Sequence, residues 1–102
     1  MLFQLRVHRI ARGAMEQFVR EWNQHVRPLR LAFGFSIVGP WVGDDGETFV
    51  WILAHDGDFE AADEAYYASP ERRALDPDPA RHIAETRTWL MRSPSTAPGR
   101  ER

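Results

Sequence analysis

The chain has 102 residues, 43% of them hydrophobic and 27% charged, with a formal net charge of −2 and no cysteine. That composition belongs to an ordinary globular protein, and a chain this short has room for one domain. The missing cysteines exclude disulfides, thiolate metal sites and thiol nucleophiles, and 13 basic residues that are all arginine leave no lysine side chain for Schiff-base chemistry.

Charges of both signs are interspersed, so there is no basic footprint for nucleic acid or an anionic membrane. No apolar run approaches the roughly 18 residues of a membrane-spanning helix. Met1 to Arg6 lacks the basic flank and apolar run of a signal peptide, which makes the cytoplasm the expected compartment.

Leu2 to Ile10 alternates, with Phe3, Leu5 and Val7 on one face and Gln4, Arg6 and His8 on the other, as a strand requires. After Gly13, the residues Met15, Phe18, Val19, Trp22, Val26 and Leu29 recur at helical spacing up to Gly34, with a kink or early stop expected near Val26 because of Pro28. Phe35–Val42 and Glu47–His55 form strands flanking the turn Gly43-Asp44-Asp45-Gly46. Asp58 caps a second helix that ends near Ala68, and Ser69-Pro70 opens a further short turn of helix. Asp76-Pro77-Asp78-Pro79 forbids continuation. His82 to Met91 alternates again as a fourth strand, and residues 93–102 are expected to be a flexible tail.

The order β-α-β-β-α-β predicts an α+β, ferredoxin-like domain over residues 1–92, with two helices backing a four-stranded antiparallel sheet. In the hairpin, a loop symmetric about Asp45 puts Phe35, Ile37, Trp41, Phe49, Trp51 and Leu53 on one face and Val38, Val42, Val50, Ile52 and Ala54 on the other. Both faces are apolar, yet two helices cover only one. The same face of a second copy is the expected cover, which predicts a homodimer.

Several segments resemble the NIPSNAP family, within the dimeric α/β-barrel superfamily that includes antibiotic-biosynthesis monooxygenases. They are Gln4-Leu5-Arg6, the Trp22, His25-Val26 and Pro28-Leu29 pattern, Gly39-Pro40-Trp41 with Phe49-Val50-Trp51, and Tyr66-Tyr67-Ala68-Ser69-Pro70-Glu71-Arg72. The resemblance implies two sheets packed face to face and a ligand pocket between sheet and helices in each protomer. It implies no particular reaction. Heme-degrading relatives carry asparagine, tryptophan and histidine where this chain has Arg6, His55 and Asp76. The resemblance therefore implies no heme.

Candidate site residues follow from side-chain chemistry. Arg6 suits an anion because its planar fork binds two oxygens, and His25 is a candidate general base with an ordinary pKa near working pH. His8 shares the Arg6 face, and Glu85 with Arg87 on the fourth strand is expected beside it, either as an ion-pair network or as part of the site. Trp41 and Trp51 are expected on one face, either as core packing or to stack a planar ligand, and one of Tyr66 and Tyr67 to reach a pocket mouth or the dimer contact. Histidine spacing gives no metal site, and no phosphate-binding glycine loop is present. No cofactor is expected. The expected function is a homodimer that binds a small hydrophobic, carbonyl-bearing or aromatic metabolite of secondary metabolism, with cofactor-free cyclisation, isomerisation or monooxygenation by acid–base chemistry as its enzymatic form. The alternative is a non-catalytic binding or interaction module.

Overall fold

The alternation of the first strand carries through to the three-dimensional structure, a computed structural model that describes residues 1–94. β1 (Leu2–Ile10) pairs antiparallel with both β3 (Thr48–His55) and β4 (Ile83–Met91), and β2 (Ser36–Val42) pairs with β3. The sheet order is β2-β3-β1-β4, and the chain order is the expected β-α-β-β-α-β. The expected tail falls almost wholly on residues 95–102, outside the described part.

The first helical segment runs without a stop. α1 (Met15–Glu21) passes through a π-helical turn (Trp22–Val26) into α2 (Arg27–Ala32). Residues four apart drift about 40° per step around a regular α-helix, which would spread Phe18, Trp22, Val26 and Arg30 around the surface. The wider π turn takes up that drift, and all four are buried. Pro28 lies in the first turn of α2, directly after the π turn, so the expected kink or stop becomes a change of helical phase.

α3 (Phe59–Ala68) and α4 (Pro70–Arg73) begin as their caps require. Asp58 accepts from the Ala61 amide at 3.1 Å and Ser69 from the Arg72 amide at 3.1 Å. A 3₁₀ turn (Pro79–His82) then leads into β4. Glu21 in α1 accepts from both terminal nitrogens of Arg81, at 2.9 and 2.8 Å, tying the helix to that turn. The Arg81 hydrogen bonds lower its pKa to about 2.

The core lies between helices and sheet. Ile10, Phe18, Trp22, Phe35, Phe49, Trp51, Leu53, Phe59 and Tyr66 form one cluster there. The β1 alternation sends Gln4, Arg6 and His8 towards the helices, since Arg6 pairs with Trp51 and His8 with Phe49. Phe3, Leu5 and Val7 therefore face away from the helices. Leu5 lies between Ile52 and Trp89, and Val7 between Val50 and Arg87.

Two sequence expectations are corrected by register. An extra residue enters β2 between Val38 and Trp41, so Trp41 pairs with Val50 instead of Phe49. Gly39 makes that bulge possible, with φ at 102° and the Trp41 ring so close that an added Cβ would meet it at 2.8 Å. Trp41 and Trp51 thus point to opposite faces. Glu85 and Arg87 align with Arg9 and Val7 and share the open face, away from Arg6 and His8.

Candidate functional site

β1 presents two buried polar side chains to the core. Arg6 is 6% exposed, and each of its nitrogens has a hydrogen bond: Nε to Gln4 at 2.6 Å, Nη1 to the Tyr67 hydroxyl at 2.9 Å and Nη2 to Asp63 Oδ1 at 3.0 Å. The π turn brings Arg30 to the same carboxylate. It is 1% exposed, and its Nη1 donates to Asp63 Oδ1 at 2.7 Å. Two buried guanidinium groups thus share one carboxylate oxygen, leaving one positive charge in surplus. Burial and the like charge of Arg6 pull the Arg30 pKa down, while Tyr67 and Asp63 oppose them.

Aromatic rings pack around Arg30, whose guanidinium carbon lies 3.7 Å from the Tyr66 ring centre, 4.7 Å from Phe35 and 5.1 Å from Tyr67. Such packing stabilises a cation through the negative ring faces. Beside it is a half-open cavity of about 60 Å³, walled by Arg6, His8, Trp22, Arg30, Trp51 and Tyr66, with Tyr67, Arg72 and Ile83 among the residues that complete it. Arg72 is matched by Asp78 at 3.2 Å and adds no surplus charge.

Three of the wall residues carry polar atoms that are buried without a hydrogen-bond partner: Trp22 Nε1, Arg30 Nε and the Tyr66 hydroxyl. Each such atom costs about 1–3 kcal/mol. Burial also raises the Tyr66 pKa, keeping the hydroxyl protonated and able to donate.

His8 is fully engaged. Its Nε2 accepts from Trp51 Nε1 at 2.9 Å, which fixes the proton on Nδ1, and Nδ1 donates to Thr86 Oγ1 at 2.8 Å. Burial first, and the Arg6 charge second, lower its pKa to about 4. His8 is neutral at physiological pH.

The remaining sequence candidates lie elsewhere. His25 is half-buried in a groove with Pro28, Leu29, Glu71 and Leu75, outside the Arg6 cavity. Its helical position falls one residue before Val26 and is turned away from the file that ends at Arg30. Glu85 is on the open face, 3.5 Å from both Arg9 and Arg87, and Trp41 is 51% exposed on that face at the opposite edge of the sheet. Arg6, His8, Trp51 and Tyr66 do share one cavity. The sequence reading missed Arg30, Trp22 and Asp63 as site residues. Only the four-residue spacing Phe18, Trp22, Val26 and Arg30 pointed to Arg30, and on a regular helix that spacing does not keep one face.

Among the described residues, no group of three or more His, Asp or Glu side chains is placed to hold a metal ion. No helix among them is long and apolar enough to cross a membrane.

Strands and helices together define a ferredoxin-like α+β fold with a small cavity, walled by aromatic and arginine side chains, between sheet and helices. Its relatives among solved structures carry that fold along nearly their whole length. A NIPSNAP domain protein from Burkholderia xenovorans superposes with a TM-score of 0.80 at 20% identity, covering 97% of this chain and 100% of that one. A NIPSNAP family protein from Agrobacterium tumefaciens gives 0.81 at 14% identity, covering 97% and 98%. A protein named an antibiotic biosynthesis monooxygenase gives 0.70 at 19% identity, covering 91% and 98%. The structural neighbours are thus NIPSNAP and antibiotic-biosynthesis-monooxygenase-like proteins, and the likeness is one of fold. No protein-family profile and no curated protein matches the chain.

Proposed function

We propose that the protein is a homodimeric small-molecule-binding protein whose cavity between sheet and helices receives the anionic end of a hydrophobic metabolite. The observation that carries this reading is the surplus buried charge: Arg6 and Arg30 share one carboxylate beside an open, aromatic-walled space. Isolated charge in a low-dielectric interior is costly, and an anionic ligand offsets that cost. A second copy covering the apolar sheet face around Leu5, Ile52 and Trp89 completes the fold.

The chemistry this cavity supports is stabilisation of negative charge on a bound oxygen. That is the central requirement of cofactor-free isomerisation, cyclisation or oxygenation through an enolate. Oxygenation gains support from the fold shared with a protein named an antibiotic biosynthesis monooxygenase. A second reading, binding without turnover, is favoured by His8, whose two nitrogens are both occupied and leave no base in the cavity.

Thermal-shift measurements with small hydrophobic acids and their neutral amides test the ligand reading. The acids raise Tm and the amides do not; equal responses overturn it. Sedimentation at micromolar concentration should give the mass of two chains, and a stable monomer removes the dimer.

A further inference from the structure

We infer that the group received by the cavity is a carboxylate, and that Arg30, not Arg6, is its receptor. This rests on the anion-binding reading above and narrows it to one chemical class. All three nitrogens of Arg6 already donate within the protein, so no edge of its guanidinium consists of two unbonded nitrogens. Arg30 donates through Nη1 alone. Its Nε is buried without a partner, and among the described residues no hydrogen bond is made by its Nη2. Nε and Nη2 form one edge of the planar guanidinium, two parallel N–H groups at the spacing of the two oxygens of a carboxylate.

The other orphan donors fit the same occupant. A carboxylate doubly bonded to one guanidinium edge still has an outward lone pair on each oxygen. Trp22 Nε1 and the Tyr66 hydroxyl are two further buried donors without partners, carried by residues of the same cavity wall. These are four donors, as many as the acceptor positions of one carboxylate. A neutral amide supplies its own N–H groups and would set them against these donors.

The space agrees with the charge count. About 60 Å³ is far below the roughly 300–1,000 Å³ of a site for a whole drug-sized ligand. It accommodates the carboxylate head of an organic acid, and the half-open cavity leaves the remainder to extend outward. A single surplus positive charge selects a monoanion at that position.

Tyr66 provides the sharpest test, because its hydroxyl has opposite effects on the free and bound protein. The experiment is a titration of intrinsic fluorescence from Trp22 and Trp51 with propionate, benzoate, benzamide and 4-nitrophenolate, on wild type, Tyr66→Phe and Arg30→Gln. Propionate and benzoate should bind, with benzamide at least tenfold weaker. Tyr66→Phe should weaken benzoate about tenfold or more while raising the Tm of the free protein, since it deletes an unsatisfied buried hydroxyl. A merely structural tyrosine would not separate those two readouts. Arg30→Gln should abolish binding; if it fails to fold, Tyr66→Phe still decides.

Binding of 4-nitrophenolate without either carboxylate overturns the carboxylate assignment and leaves the anion-binding reading standing. Equal binding of benzoate and benzamide, or no binding of any probe, overturns both. Carboxylate binding that is unchanged in Tyr66→Phe and Arg30→Gln places the site elsewhere and also overturns the inference.

Discussion

The two faces of the sheet reverse the usual relation between polarity and cover. Beneath the helices, β1 contributes Gln4, Arg6 and His8, whereas its apolar set of Phe3, Leu5 and Val7 faces the side without helices. On the covered side, the buried polar groups of β1 are tolerated because they are partnered: Arg6 makes three hydrogen bonds and His8 two. On the open side, Trp41 and Trp89 are 51% and 46% exposed, and charged residues are confined to one end, at Arg9, Glu85 and Arg87. Under the proposed function the covered face receives a small anionic head group and the open face a second copy of the chain. A strand whose apolar side faces away from its own helices is strong evidence for a missing layer.

The largest expected effect breaks the covered face. Asp63→Ala leaves two buried guanidinium groups without their shared partner, and urea denaturation should show a loss of about 3–5 kcal/mol. Loss below about 1 kcal/mol would mean that water already solvates both cations.

Acid provides the next test of the same face. The folded-state pKa of His8, about 4, lies below its ordinary 6.5, so the unfolded chain binds the proton first. The His8 contribution is therefore fully present above about pH 6.5 and is lost as pH falls through 4. It amounts to about 3 kcal/mol. Denaturant midpoints measured across that window should fall with pH in wild type, and His8→Gln should flatten this part of the profile. Glu21, with its pKa held at about 2 by Arg81, adds a loss of the same sign only at lower pH, from about 4.5 downwards.

On the open face, Trp89→Asp should weaken self-association by about 2 kcal/mol, the scale of a central aromatic contact, with little change in the helix-side cavity. Sedimentation equilibrium reads the association, and benzoate titration reads the cavity. The smallest effect is expected at Glu85, whose contacts to Arg9 and Arg87 are 3.5 Å long and solvent-exposed. Glu85→Gln should change thermal stability by less than about 0.5 kcal/mol. A larger change would restore Glu85 to the site from which the register removes it.

Much of the fold was legible because local patterns and the tertiary structure agree. Alternation in β1 and β4, the Asp58 and Ser69 caps and the glycine-flanked hairpin each carry their own stereochemical reason. The site was legible only in part. Arg6, His8, Trp51 and Tyr66 were recognised because buried polar or aromatic groups on predicted faces are conspicuous. Trp41 was misplaced because one bulge at Gly39 and Pro40 inverts the facing of the strand beyond it. His25 was favoured, and Arg30 passed over, because a regular helical wheel cannot anticipate a π turn.

The sequence alone determined the α+β order, the arginine-only chemistry and the apolar character of both hairpin faces, since these depend on composition and on periods of two and 3.6 residues. Only the tertiary structure decided which polar groups meet. One inserted residue in β2 separates two tryptophans by the thickness of the sheet, and one widened helical turn brings Arg30 onto Asp63 beside Arg6. Long-range pairing turns such small shifts of phase into the difference between a surface side chain and a cavity wall. The opposing alternation of β1 therefore defines the two faces, while helix phase and strand register select the residues that line the cavity.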